Sequence, residues 1–127
     1  MLRRLVLHLA WLVPIVTVGF PVAAQQRSLD WTRCTHEWKT FSLDAQISGC
    51  TAIAGSGDET TASRAKAYHS RAIAHWDKGD TERAIADYTE AIKLNSSDAI
   101  VYYNRAIALG AKGDAGSAIA DYTEAMS

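Results

Sequence analysis

Apolar residues recur along this chain in two rhythms. From Leu5 to Phe20 they run almost without interruption behind Arg3 and Arg4, broken by Pro14. From Ala65 onward they return every three or four residues between polar ones, the spacing of amphipathic helices. Ala, Tyr and Ile keep that spacing to Trp76, with Ser63 as the expected N-cap and Lys78-Gly79 as the expected end, since glycine accepts the left-handed backbone of a helix terminus. Asp80 is expected to cap the next helix, with Glu82 favourable in its first turn. Ala84, Tyr88 and Ala91 share one side of it, and Asn95-Ser96-Ser97-Asp98 reads as the turn that closes it. Upstream, Leu29–Phe41 carries Trp31, Cys34 and Trp38 at helical spacing. Ser42 is expected to cap a helix with Leu43, Ile47, Cys50 and Ile53 on one face, followed by a loop from Gly55 to Ala62.

The second rhythm is a repeat. Residues 65–93 moved by 34 places fall on residues 99–127, and 17 of the 29 aligned positions are identical. Tyr68 meets Tyr102, Arg71-Ala72-Ile73-Ala74 meets Arg105-Ala106-Ile107-Ala108, and Lys78-Gly79-Asp80 meets Lys112-Gly113-Asp114. The eight residues Ala84–Ala91 recur unchanged as Ala118–Ala125.

This frame closely resembles the tetratricopeptide repeat family. Its large residue, small residue, glycine, alanine, aromatic and alanine are Tyr68, Ala72, Gly79, Ala84, Tyr88 and Ala91, then Tyr102, Ala106, Gly113, Ala118, Tyr122 and Ala125. Ser96 stands where the family has proline, and Arg71 and Arg105 where it has leucine. The resemblance implies an all-α protein, an α-solenoid of antiparallel helical hairpins, with units at 65–98 and 99–127, the second incomplete. The four tyrosines of the frame are then core residues. It also implies a peptide-binding groove on the first helix of each unit, at Lys66, His69, Ile73 and Trp76, then Ile100, Tyr103, Ile107 and Gly110. The composition there, an exposed Trp and Tyr among aliphatics, is that of a binding hot spot. Ile73 and Ile107 could equally pack between units. Some members of the family clamp a terminal carboxylate with several Lys and Asn residues, for which this chain offers Lys66 and Asn104. Moved by 38 places, Cys34 falls on Ala72 and Cys50 on Tyr88, where the two helices of a repeat touch. Residues 25–62 are therefore expected to form a degenerate first hairpin. A disulfide would staple it, worth about 3 kcal/mol on the loop-entropy argument.

The opening residues read as a secretory leader, 1–24, cut after Ala24 in Pro21-Val22-Ala23-Ala24. Its apolar run is short for a bilayer span, although an uncleaved N-terminal anchor is the alternative. Export implies a periplasmic or secreted protein, and two cysteines in an oxidising compartment read first as a disulfide. With 13 basic and 14 acidic side chains, and a net −3 once Arg3 and Arg4 are removed, the chain lacks the basic bias of a nucleic-acid binder.

No nucleophile elbow, phosphate loop, dinucleotide fingerprint or zinc signature occurs, so no catalytic residue, cofactor or metal is expected. Arg71, Arg105, Asp87 and Asp121 repeat with the fold, which favours pairing within or between hairpins. His69 and His75 are too far apart in azimuth to share one ion. A protein or peptide partner is the expected ligand. One rival reading is a structural subunit that assembles with its own copies in the cell envelope. Another is thiol exchange at Cys34 and Cys50, which lacks the close spacing that activates a thiol. In the final helix, Asp114 to about Met126, Ile119 and Met126 are expected to lie exposed. That face would be covered by further repeats encoded beyond Ser127 or by self-association through this helix.

Overall fold

The computed structural model describes residues 19–35 and 40–127. Among these residues six helices follow one another: α1 (Val22–Thr35), α2 (Leu43–Ala54), α3 (Thr61–Asp77), α4 (Thr81–Leu94), α5 (Ala99–Lys112) and α6 (Ala115–Met126). Each packs mainly on its neighbours in sequence, so the hairpins α1–α2, α3–α4 and α5–α6 stack in series. The fold is an all-α helical-hairpin solenoid. No helix among the described residues is long and apolar enough to cross a membrane.

The caps explain most boundaries. Ser42, Thr60, Asp80, Asp98 and Asp114 each accept a backbone N–H from the first turn that follows, satisfying a donor the helix leaves unpaired. Gly79 and Gly113 take positive φ, 81° and 93°, where a side chain would be strained. Three expectations need correction. The first helix spans Val22–Thr35 and not Leu29–Phe41, beginning directly after Pro21, whose fixed φ suits a helix start; His36 and Trp38 lie outside the described residues. Thr60 caps α3 in place of Ser63, because its hydroxyl accepts the Ser63 N–H at 3.0 Å. The loop after α2 consequently ends at Thr60, and Thr61 and Ala62 are helical.

The core is built from small residues. Ala72, Ala84, Tyr88, Ala91, Val101 and Ala108 form one buried cluster between α3, α4 and α5, with Tyr68, Trp76, Ile85 and Ile92 packed against it. A second cluster joins Cys34, Cys50, Ile53, Ala54 and Ala67, with Trp31 and again Tyr68 at its edge. Alanines at these contacts let the helix axes approach closely. They also bury little apolar area per residue, which leaves each hairpin dependent on its neighbours.

In the first hairpin the close approach is carried by Gly49. A Cβ there would sit 2.6 Å from the Asp30 carbonyl oxygen and 2.7 Å from the Arg33 Cβ. Beside it Cys34 and Cys50 are joined by a disulfide across Cα atoms 4.5 Å apart. Arg27 pairs with Asp58 and Glu59, and the Trp31 indole donates to Glu59, so the loop before α3 is tied back onto α1.

The repeated charges form one motif used twice. Arg71 donates through Nε and Nη2 to the two Asp87 oxygens, both at 2.7 Å, and through Nη1 to Thr51 on the preceding hairpin at 3.0 Å. Arg105 does the same to Asp121 at 2.6 and 2.8 Å and to Thr89 at 3.1 Å. Each guanidinium also lies over a tyrosine ring, Tyr68 or Tyr102. Bidentate pairing of this kind satisfies a buried carboxylate that water cannot reach. A lysine rung repeats as well: Lys78 pairs with Asp44, and Lys112 with Glu82 at 2.8 Å.

Candidate functional site

Surface apolar residues that the core does not explain gather on the first helices of the second and third hairpins. Ile73 on α3 and Ile100, Tyr103 and Ile107 on α5 are all exposed. They recur at three- to four-residue spacing, and the flanking positions Ala72, Val101, Ala106 and Ala108 are buried.

Two depressions run between α3 and α5. One, of about 210 Å³, is lined by Ile73, Trp76, Asn104 and Ile107 and floored by Tyr88. The other, of about 280 Å³, includes Lys66, His69, Asn95, Asp98 and Ile100 in its walls. Between them the Asn104 side-chain nitrogen lies 3.1 Å from His69 Nε2, bridging the two helices. With a neutral imidazole the amide donates to that nitrogen. Neutrality is favoured, because burial pushes His69 below the usual imidazole range against the opposing pull of Asp98. Tyr88, under the same floor, is pushed up to about 12 by burial, with the charge of Asp77 adding to it, so its phenol stays protonated. The ring contact between His69 and Tyr88, 5.9 Å between centroids, recurs one repeat later as Tyr103 on Tyr122 at 5.7 Å.

Of the residues expected in the groove, Lys66, His69 and Ile100 line one depression, Ile73, Trp76 and Ile107 line the other, and Tyr103 lines a separate hollow with Ile100 and Tyr122. Trp76 is half-buried: it packs against the alanine–tyrosine core and also lines the depression with Ile73 and Ile107. Gly110 lines neither depression. Asn104 enters the groove through its bond to His69, a role its position beside Tyr103 hinted at but did not define.

Among the described residues no three His, Cys, Asp or Glu side chains gather as metal ligands. Arg71, Asp87, Arg105 and Asp121 are consumed by one another, and His75 lies 3.9 Å from Asp87 with its own proton affinity lowered by burial. What the surface offers is apolar contact area with a few fixed polar groups, the composition of a protein-recognition face.

Comparison with curated proteins and with solved structures gives no match. Residues 74–113, from the last turn of α3 to the end of α5, match the family model for the TPR repeat. That span holds the glycine turn, the Ala-Tyr-Ala helix and the following first helix, the parts on which the hairpin stack is built. This part of the chain is similar to the tetratricopeptide repeat.

Proposed function

We propose that this protein is an exported binding module that holds an extended segment of another polypeptide along the α3–α5 surface. The observation that carries the reading is the row of exposed Ile73, Ile107, Tyr103 and Ile100, flanked by Lys66 and His69 and set over a rigid floor. Aliphatic side chains of the partner enter the two depressions, and its backbone meets Asn104 and Lys66. A large exposed tyrosine backed by a second ring supplies contact area at small entropic cost. Binding, and not turnover, is the chemistry these groups can perform.

The leader Met1–Ala24 directs the chain out of the cytoplasm and is removed. Cleavage after Ala24 takes the first residues of α1 and leaves Cys34 and Cys50 in an oxidising compartment, where their bond persists. Recovery of the protein with Gln25 at its N-terminus supports this; recovery of an intact chain in the membrane fraction supports anchoring instead.

Affinity capture from envelope extract tests the binding role. The Tyr103→Ala and Ile107→Ser proteins are the controls, because both side chains are exposed and their loss spares the core. Capture that is reduced by both substitutions supports the groove. Equal capture by all three proteins moves the binding surface elsewhere.

A further inference from the structure

The two ends of the hairpin stack carry complementary halves of the contact that joins hairpins internally. Within the stack, α2 meets α3 through Ile47, Thr51 and Ala54, and α4 meets α5 through Ile85, Thr89 and Ile92, at matching repeat positions. In each case Thr51 or Thr89 accepts the arginine Nη1 of the incoming helix. That helix also inserts a small apolar residue four places earlier, Ala67 or Val101, both buried. On α6 the accepting positions recur as Ile119, Thr123 and Met126. Ile119 and Met126 are 66% and 82% exposed. Beside them Ala99, Ile100, Tyr103, Tyr122, Ala125 and Met126 line an apolar hollow. The corresponding residues one repeat earlier include Tyr88 and Ala91, which are covered by Val101.

The other half of the contact lies on α1. The register that places Thr51 on Thr89 places Leu29 on Ala67 and Val101, and Arg33 on Arg71 and Arg105. Leu29 is 51% exposed, and Arg33 has only a 3.7 Å contact with Asp30 one turn back. Its usual intrahairpin aspartate is replaced by Gly49. Leu29 and Arg33 are four residues apart and so share a side of α1.

We infer that the α1 face of one copy docks on the α6 face of another, with Leu29 entering the hollow against Tyr122 and Arg33 donating to Thr123. The lysine rung does not recur, since Gly116 stands where Asp44 and Glu82 accept. The contact is heterologous, so each copy uses a different face toward each neighbour and the assembly grows as an open series unless its rotation closes a ring. It continues the internal stacking and borders the α3–α5 surface at Ile100 and Tyr103.

Sedimentation of the protein as recovered from the cell, over a wide concentration range, reads the association directly. The weight-average mass should rise past that of a dimer. Leu29→Lys and Ile119→Lys should each remain monomeric, with helicity and melting unchanged because both positions are exposed. Mixed together, these two variants should form a heterodimer and stop there, since one retains a working α6 face and the other a working α1 face. Arg33→Glu and Thr123→Glu form a second pair with the same expectation if either lysine variant loses its fold. A wild-type chain that stays monomeric throughout overturns the inference and leaves the α6 face to a helix from another source. Continued self-association of Leu29→Lys overturns it in favour of α6 meeting α6, and the absence of a heterodimer in the mixture also contradicts it.

Discussion

Arg71 on α3 donates to Thr51 on α2 at 3.0 Å, and this contact makes the N-terminal hairpin part of the array. The same atoms meet one repeat later, Arg105 to Thr89 at 3.1 Å. Thr51 and Thr89 are related by the same displacement that superposes Cys50 on Tyr88. In the first hairpin Cys50 and Gly49 thus stand where the second hairpin has Tyr88 and Asp87.

Removal of the Arg71 guanidinium should be costly because it strands the buried Asp87 carboxylate. Arg71→Ala is expected to destabilise the protein by about 3 kcal/mol, and Thr51→Ala by about 1 kcal/mol, the worth of one hydrogen bond. Denaturant titration of the two variants and their double should show coupling, with the double costing less than the sum. Strict additivity would mean that the Arg71–Thr51 contact adds nothing.

Gly49→Ala sets two effects against each other. Alanine is the better helix former by about 1 kcal/mol, but its Cβ has no room against Asp30 and Arg33. The obstruction is backbone and a Cβ, which cannot swing aside, so the overpacking cost of about 1–3 kcal/mol should prevail. The melting temperature should fall, and the exposure of thiols under mild reductant should quicken. An unchanged or raised melting temperature would show that α1 is free to retreat from α2.

Acidification should weaken the fold through His69 and His75. Burial lowers both below the ordinary imidazole value of about 6.5, so the unfolded chain binds protons more readily than the folded one. Their full contribution is present above that value and is lost as pH falls through and below it, until the folded-state values are reached. Carboxylates remain largely ionised down to about pH 5, so a denaturant midpoint followed from about pH 7.5 to about pH 5 isolates the effect. The midpoint should drop in the wild type and flatten in His69→Gln/His75→Gln. A midpoint that rises on acidification would reverse the assignment.

How much of this was legible in the sequence depended on whether a residue's neighbours were local. The 34-residue period located α3 to α6, their glycine turns and the aspartate caps Asp80 and Asp114, because each of these is decided within a few residues of chain. Repetition of Arg71, Arg105, Asp87 and Asp121 announced an ion pair, and the structure supplies it. The first helix was misplaced because it lacks the repeat frame and because an apolar leader and a helix start overlap around Pro21. Ser63 and Thr60 are chemically equivalent as caps, and only the backbone path chooses Thr60. Tyr88 alone of the frame tyrosines is fully buried. Tyr122, at its counterpart in α6, is half-exposed, since among the described residues no element covers it as Val101 covers Tyr88. Trp76 lines the depression beside Ile73, and its size also reaches the core beneath, which no spacing rule conveys.

Site-specific photo-crosslinking in the native compartment addresses the binding surface without assuming a partner. A photoreactive phenylalanine analogue placed at Tyr103, on the exposed face of α5, should form a discrete heavier species containing a polypeptide other than this chain, and the same group at Ile73 should form it too. The same group at Ala86, exposed on α4 away from the groove, should form none. Crosslinks that arise from Ala86 and not from Tyr103 would contradict the α3–α5 surface as the site of recognition.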